Sequence, residues 1–375
     1  ACSSVPQQEC PAGTLDKPDC PPAGAIEDEK INAIYEIRTW LPPSRLTIDP
    51  IALGAEAEIP INSAQAKIIG PAHDEAMYSL AAKIWLIENA QHTVDVAYYI
   101  FKPDLVGYSV LGALCDAVKR GVDVRIMVDS LGSFSPGHSE LRAVETCAAD
   151  AGFIRNADGK VTTKKARVQV VIFNAITKFQ FNRRSHDKLL VVDGSFPRKT
   201  AVMTGGRNIS LDYYGINKDG SEDLDAFRDL EILIRAGRDS KQEEYSIGSV
   251  SEIYYSLLFA HSGNRRIQPY EASDEFDESE YEDRYIYHRN KAQQSLAKLK
   301  GFPEIKKRMD DMPRYMTDDF HETQVRLSHQ LSNLTSTNVT TNVVENLEKN
   351  PNSIQYLIAQ IKDEAVRKGP LTGSL

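Results

Sequence analysis

The run Leu189-Leu190-Val191-Val192, closed by Asp193-Gly194, constrains this 375-residue chain more than any other stretch. Four β-prone apolar residues in a row, bounded by glycine, read as a buried strand. The residues leading into it are Arg183-Arg184-Ser185-His186-Asp187-Lys188. Side chains alternate along a strand, so His186 and Lys188 project to one face and Asp187 turns away from them. An imidazole and a fixed ammonium on one face can meet the same phosphate. A short polar loop then leads to Ala201-Val202-Met203, a second strand, and to Thr204-Gly205-Gly206-Arg207-Asn208. Gly205 and Gly206 let the backbone approach closely, and the Asn208 amide can donate to a phosphate oxygen.

Around this pair the pattern alternates strand and helix. Helices are expected over Glu27–Leu41, Glu75–Asn89, Tyr108–Lys119 (stopped by Gly121) and Glu140–Gly152. Strands are expected over Thr93–Phe101, Val122–Asp129, Val168–Phe173 and Leu230–Arg235. Strands interleaved with helices give an α/β sandwich with a mixed sheet flanked by helices. Residues 1–25 read as a flexible Pro/Cys-rich tether and 26–66 as a helix and linker in which 42–66 show little pattern. The catalytic unit spans 67–265. Residues 266–288 are an acidic insertion, with eight acids and no base between Glu271 and Asp283. Residues 289–375 form a mostly helical extension, with Ile354–Arg367 as its last helix.

The spacing His186-x-Lys188-x4-Asp193 followed by Gly205-Gly206-x-Asn208 resembles the HKD signature of the phospholipase D superfamily. Tyr98-Tyr99-Ile100-Phe101, Gly121-Val122-Asp123-Val124-Arg125, Asp212-Tyr213-Tyr214 and Phe227-Arg228-Asp229-Leu230-Glu231 are similar to its bacterial cardiolipin-synthase-like branch. The resemblance covers about residues 68–265, one catalytic half. It implies that His186 is a nucleophile forming a covalent phosphohistidine, with Lys188 and Asn208 stabilising the phosphoryl oxygens. Asp229 stands where the family places the carboxylate that orients the histidine, with Glu231 in reserve. Asp193 belongs to the motif, yet its odd offset from Lys188 gives it a structural role. Arg184 and Arg207 add to the anion field. Asp187 departs from relatives that carry Asn there. Fixed protein donors can do the work of a metal, so neither metal nor other cofactor is expected.

Members of this superfamily need two such motifs at one site. No other histidine here has lysine two residues on. The second motif is therefore expected from a missing C-terminal half, the chain being a fragment of a two-motif protein, or from the partner in a homodimer. The remaining account is a lipid-binding relic with half a site.

Charge bears on the substrate. The net charge of −9 disfavours nucleic acid, leaving a dimeric nuclease as the alternative function. Yet Arg155 to Arg207 holds twelve Lys/Arg against three Asp, a basic island expected around the site. It suits an anionic phospholipid at a membrane surface, whether the reaction is phosphatidyl transfer or phosphodiester hydrolysis. The stretch Lys160–Arg167 within it also reads as a solvated loop. The start Ala1-Cys2-Ser3-Ser4 looks like a bacterial lipoprotein lacking its signal peptide, with lipidation at Cys2 and a place in the cell envelope, periplasmic or membrane-peripheral. Cys10 and Cys20 can pair in an oxidising compartment. Cys115 and Cys147, inside helical patterns, read as small core residues.

Overall fold

The computed structural model describes residues 20–57, 59–133, 138–175, 184–238, 246–267, 279, 281–329, 331, 334 and 354–368. Cys2, Cys10, Arg183 and most of the acidic stretch 271–283 lie outside them. The helices are α1 Glu29–Ile37, α2 Pro50–Glu56, α3 His73–Asn89, α4 Leu105–Lys119, α5 Ser139–Glu145, α6 Ile247–Phe259, α7 Tyr287–Gly301, α8 Pro303–Tyr315 and α9 Ile354–Lys368. The strands are β1 Asn62–Ile69, β2 Thr93–Tyr98, β3 Asp123–Asp129, β4 Phe153–Arg155, β5 Val161–Lys165, β6 Val168–Phe173, β7 Lys188–Val192, β8 Ala201–Gly205, β9 Glu231–Ala236, β10 Arg265–Arg266 and β11 His321–Val325.

Nine strands form one sheet in the order β10-β6-β3-β2-β7-β8-β9-β1-β11, and β4 and β5 pair by themselves. Parallel pairing joins β2 to β3 and β3 to β6, whereas β7 runs antiparallel to both β2 and β8. The fold is therefore a mixed α/β sandwich. The expected strand is its middle element, and all five of its residues are buried. Leu190 and Val192 enter a core shared with α3, α4, α7 and α8. Leu189 and Val191 enter the opposite core, with α2 and α6. An unbroken apolar run is the composition that such two-sided burial demands.

Local chemistry sets the helix ends. The Asp28 side chain accepts from Ile31 N at the start of α1, Asp104 caps α4, and Gly121 follows α4 at φ +94°. Four expectations change. Residues 42–66 contain α2, capped by Asp49 with Pro50 at its first turn, and most of β1. The helix expected to Gly152 stops at Glu145 and continues as a 3-10 turn over Thr146–Asp150. Lys160–Arg167 is largely strand β5 rather than a loop, paired with β4. Cys115 and Cys147 are buried, but as a disulfide that ties α4 to that 3-10 turn.

The N-terminal segment is not a loose linker either. Arg38, 1% exposed, donates to Asp123 at 2.8 Å, Asp95 at 2.9 Å and Glu252 at 2.7 Å, while Arg125 makes two bonds of 2.8 Å to Asp95. Nor does the domain end near residue 265. α7 lays Ala292, Leu296 and Leu299 into the core of α4, α8 packs on α3, and β11 extends the sheet beyond β1. Sequence made 289–375 look separate because α7 and α8 are rich in Lys, Arg and Gln outside a narrow apolar stripe.

Candidate active site

Antiparallel pairing decides where the site lies. Lys188 opens β7 opposite Tyr98, the last residue of β2, and Leu189 pairs with Thr204 near the end of β8. The loops after β2, β3 and β8 and the approach to β9 therefore meet at one end of the sheet.

His186 is exposed just ahead of β7, and Lys188, 5% exposed, lies on the same face. The Lys188 ammonium sits 3.1 Å from His186 Nδ1 and donates to the His186 carbonyl at 2.9 Å. Partial burial, then the Lys188 charge, lower the His186 pKa, with Asp187 and Asp129 pulling the other way. The imidazole is thus held neutral and nucleophilic at neutral pH. The Tyr99 ring packs on it with centroids 4.6 Å apart. Burial also lowers the pKa of Lys188, against the raising influence of Asp187 and Asp229.

Asn208 is fixed at both ends of its amide. Its Oδ1 accepts from Ile100 N at 3.0 Å and its Nδ2 donates to the Tyr213 hydroxyl at 2.8 Å, leaving one Nδ2 hydrogen for a ligand oxygen. The glycine pair has a concrete reason. A Cβ on Gly206 would lie 1.7 Å from Asp229 Oδ1, and one on Gly205, at φ +153°, would lie 2.2 Å from the Leu230 carbonyl.

Asp229 does reach the site, but in another role than the one the resemblance implied. Among the described residues no carboxylate hydrogen-bonds the His186 ring. Asp229 instead lies against Gly206 and acts on Lys188 through its charge. For His186 Nε2 to attack, Lys188 must leave Nδ1 for a phosphate oxygen, and the Nδ1 proton must then find an acceptor.

Arg207 and Glu231 belong elsewhere. Arg207 is 0% exposed, donating to the Gly70 carbonyl at 2.6 Å and to Glu231 at 3.3 Å. Glu231 also accepts from Lys83 at 2.6 Å and from Ser79. Such a closed interior cluster offers nothing to a substrate. Arg184 is held as well, on Ser130 at 2.6 Å and the Asn174 carbonyl at 3.1 Å, near Asp129 at 3.5 Å. Asp193, at φ +49°, accepts from the backbone N–H groups of Gln91, His92 and Thr93, which stitches the end of β7 to the start of β2. That is the structural role its offset predicts, not a catalytic one.

The basic island is split. Arg155, Lys160, Lys164 and Lys165 sit on the β4–β5 hairpin, Arg167 leads into β6, and Lys199 lies 3.0 Å from His92 just before β2. All of these mark the end of the sheet opposite His186. Strands of five or six residues separate the two ends by roughly 17–20 Å. Proximity in sequence misled because β6 and β7 each cross the full sheet.

Three tyrosines were missed as site residues: Tyr99 against His186, Tyr213 on Asn208, and Tyr254. The Tyr254 hydroxyl on α6 donates to Asp187 at 3.1 and 3.2 Å. Tyr99 and Tyr213 carried a signal, since both stand in the stretches that resemble the family. Tyr254 carried none, because its partner lies 67 residues away. Among the described residues no group of three or more His, Cys, Asp or Glu is placed to hold a metal ion.

A family described as cardiolipin synthase, PLD-like domain, matches residues 84–220. Cardiolipin synthase C of Escherichia coli is 31% identical over 172 residues, covering 43% of this chain and 30% of that protein. Cardiolipin synthase 1 of Bacillus cereus is 32% identical over 136 residues, covering 35% of this chain and 22% of that protein. The chain thus spans less than a third of the length of these curated relatives. A crystal structure of phosphatidylserine synthase from Haemophilus influenzae aligns at 14% identity and a TM-score of 0.41, covering 85% of this chain and 63% of that one. On the family match and these relatives, residues 84–220 carry a domain similar to the PLD-like domain of cardiolipin synthases.

Proposed function

We propose that the chain contributes one catalytic half of a phosphatidyltransferase acting on anionic phospholipid, with His186 as nucleophile. The observation that carries this reading is the Lys188 ammonium 3.1 Å from the neutral His186 ring, beside an Asn208 amide with one hydrogen to spare. In the first step a ring nitrogen attacks phosphorus, a P–N bond forms, and the P–O bond to the leaving alcohol breaks. Lys188 and Asn208 stabilise the charge on the non-bridging oxygens. In the second step an acceptor alcohol or water attacks the phosphohistidine and regenerates the imidazole. The group that protonates the first leaving alcohol comes from a second histidine motif, in a further half of the protein or in a second copy of this chain. The buried Cys115–Cys147 disulfide supports a compartment that oxidises thiols, such as the bacterial cell envelope.

The test is to incubate the purified chain with phosphatidylglycerol vesicles in EDTA, beside His186→Ala, and to read lipid products and molecular mass together. Cardiolipin or phosphatidic acid from a dimer means that two copies complete one site. Turnover that returns only with a C-terminally longer chain means that the second half is covalent. Equal turnover by His186→Ala would sink the covalent mechanism.

A further inference from the structure

Asp187 stands inside the motif, yet it takes no part in the chemistry just described. It leaves the sheet on the α6 side, opposite His186 and Lys188. There it accepts two contacts from the Tyr254 hydroxyl, at 3.1 and 3.2 Å, and one from Ser185 Oγ, while its own carbonyl accepts from Tyr99 N at 3.0 Å. One residue thus ties together the turn before His186, the strand whose next residue packs on the imidazole, and the helix behind the sheet. Tyr254 is buried, and burial followed by Asp187 raises its pKa well above the usual value, so it remains a donor.

We propose that Asp187 is a positioning residue: clamped by Tyr254 and Ser185, it fixes the turn that presents His186 and keeps a negative charge directly behind the His186–Lys188 pair. Its catalytic meaning rests on His186 as the nucleophile, but the placement itself does not. The charged groups acting on the pair are few. Lys188, Asp187 and Asp129 act on His186 through their charges, and Asp187 and Asp229 act on Lys188. Asp129 is shared with Arg184 and with the N–H groups of Leu131 and Gly132. Among the described residues Asp229 is half-buried and accepts only from the neighbouring Leu230 N, so Asp187 is the carboxylate clamped from two other elements. Asparagine at this position would keep the acceptor for Tyr254 and lose the charge.

The experiment is a histidine-detected NMR titration of the full chain, with the His186 signal assigned by its loss in His186→Gln. In Asp187→Asn the His186 midpoint should move to lower pH while its ring environment stays ordered. In Tyr254→Phe, which keeps the charge and frees its mount, the midpoint should hold while the ring signal broadens or shifts. An unchanged midpoint in folded Asp187→Asn overturns the electrostatic part of the proposal, and an unchanged ring signal in Tyr254→Phe overturns the clamp. Neither readout needs turnover. A chain that shows both effects but makes no product from phosphatidylglycerol would reject the proposed function and leave this inference standing.

Discussion

The chain holds two cation–carboxylate groups within one loop of each other, and they have opposite fates. In the interior, Lys83 and Arg207 close on Glu231, each at most 3% exposed. At the surface, Lys188 faces an exposed His186, and Asp229 acts on Lys188 through its charge, with no ion pair among the described residues to close the arrangement. The residue types are nearly the same. In the first group every charge has a protein partner, so it holds the loop 205–208 on α3 and β9. In the second the Lys188 ammonium is held by a neutral ring and a backbone carbonyl, with no carboxylate paired to it among the described residues, which is the arrangement an anionic ligand completes. Composition and motif spacing cannot distinguish the two, because the difference lies in burial: Glu231 is covered by α3, whereas His186 stands exposed ahead of β7.

Mutations should separate them. In the assembly that turns over, His186→Ala should reduce kcat by roughly 10⁴ to 10⁶, the scale of removing a nucleophile, with the thermal midpoint unchanged. Glu231→Ala should do the reverse. It strands two buried cations and should cost about 3–5 kcal/mol of folding stability, read by denaturant titration. If Glu231→Ala were instead stable and inactive, the interior group would belong to the site after all. Asn208→Ala should lower kcat by about 10² to 10³ as a lost charge-stabilising donor, with the protein still folded. A raised KM with unchanged kcat would make Asn208 a binding residue only.

The smallest effect is pH-dependent. His92, His138 and His329 are buried, which lowers each pKa from 6.5 to about 4. The unfolded chain takes up these protons near 6.5 and the folded chain does not, so stability should fall as pH drops from about 6.5 to 4. Glu145, raised by burial from 4.5 to about 8, opposes this, since its contribution is lost as pH rises through the same range and on to 8. With three groups against one, thermal midpoints should be higher at pH 6.5 than at pH 4.5. A flat profile would mean that the three rings are not desolvated.

Much of the fold was legible because its strands are apolar runs without alternation and its helices carry caps. Leu189–Val192, Val168–Phe173 and Gly121 read directly. The parts that were not legible depend on partners far away in sequence. β1 has mixed exposure, β11 beside it is a largely exposed edge strand, and α7 shows an apolar stripe that makes sense only against α4. The site divides in the same way. His186, Lys188, Asn208 and the glycine pair follow from spacing and come together. Arg207, Glu231 and Arg184 share the right chemistry and neighbourhood in sequence, but alternation and burial direct them to one another or to backbone carbonyls. The basic island failed for a further reason: local charge density along the chain says nothing once two strands carry it to opposite ends of a sheet.

The packing of α7 and α8 also decides where this protein can be cut. A fragment ending near residue 265 would uncover the faces of α4 and α3 that Ala292, Leu296, Leu299, Ile305 and Met312 now seal. It would lack β11 at the edge of β1 as well, leaving a strand with unpaired N–H and C=O groups and an adjoining oily surface. Such a piece would keep every residue of the motif and still aggregate. A version that preserves the site and these seals therefore runs at least through Val325, sixty residues beyond the stretch that resembles the family.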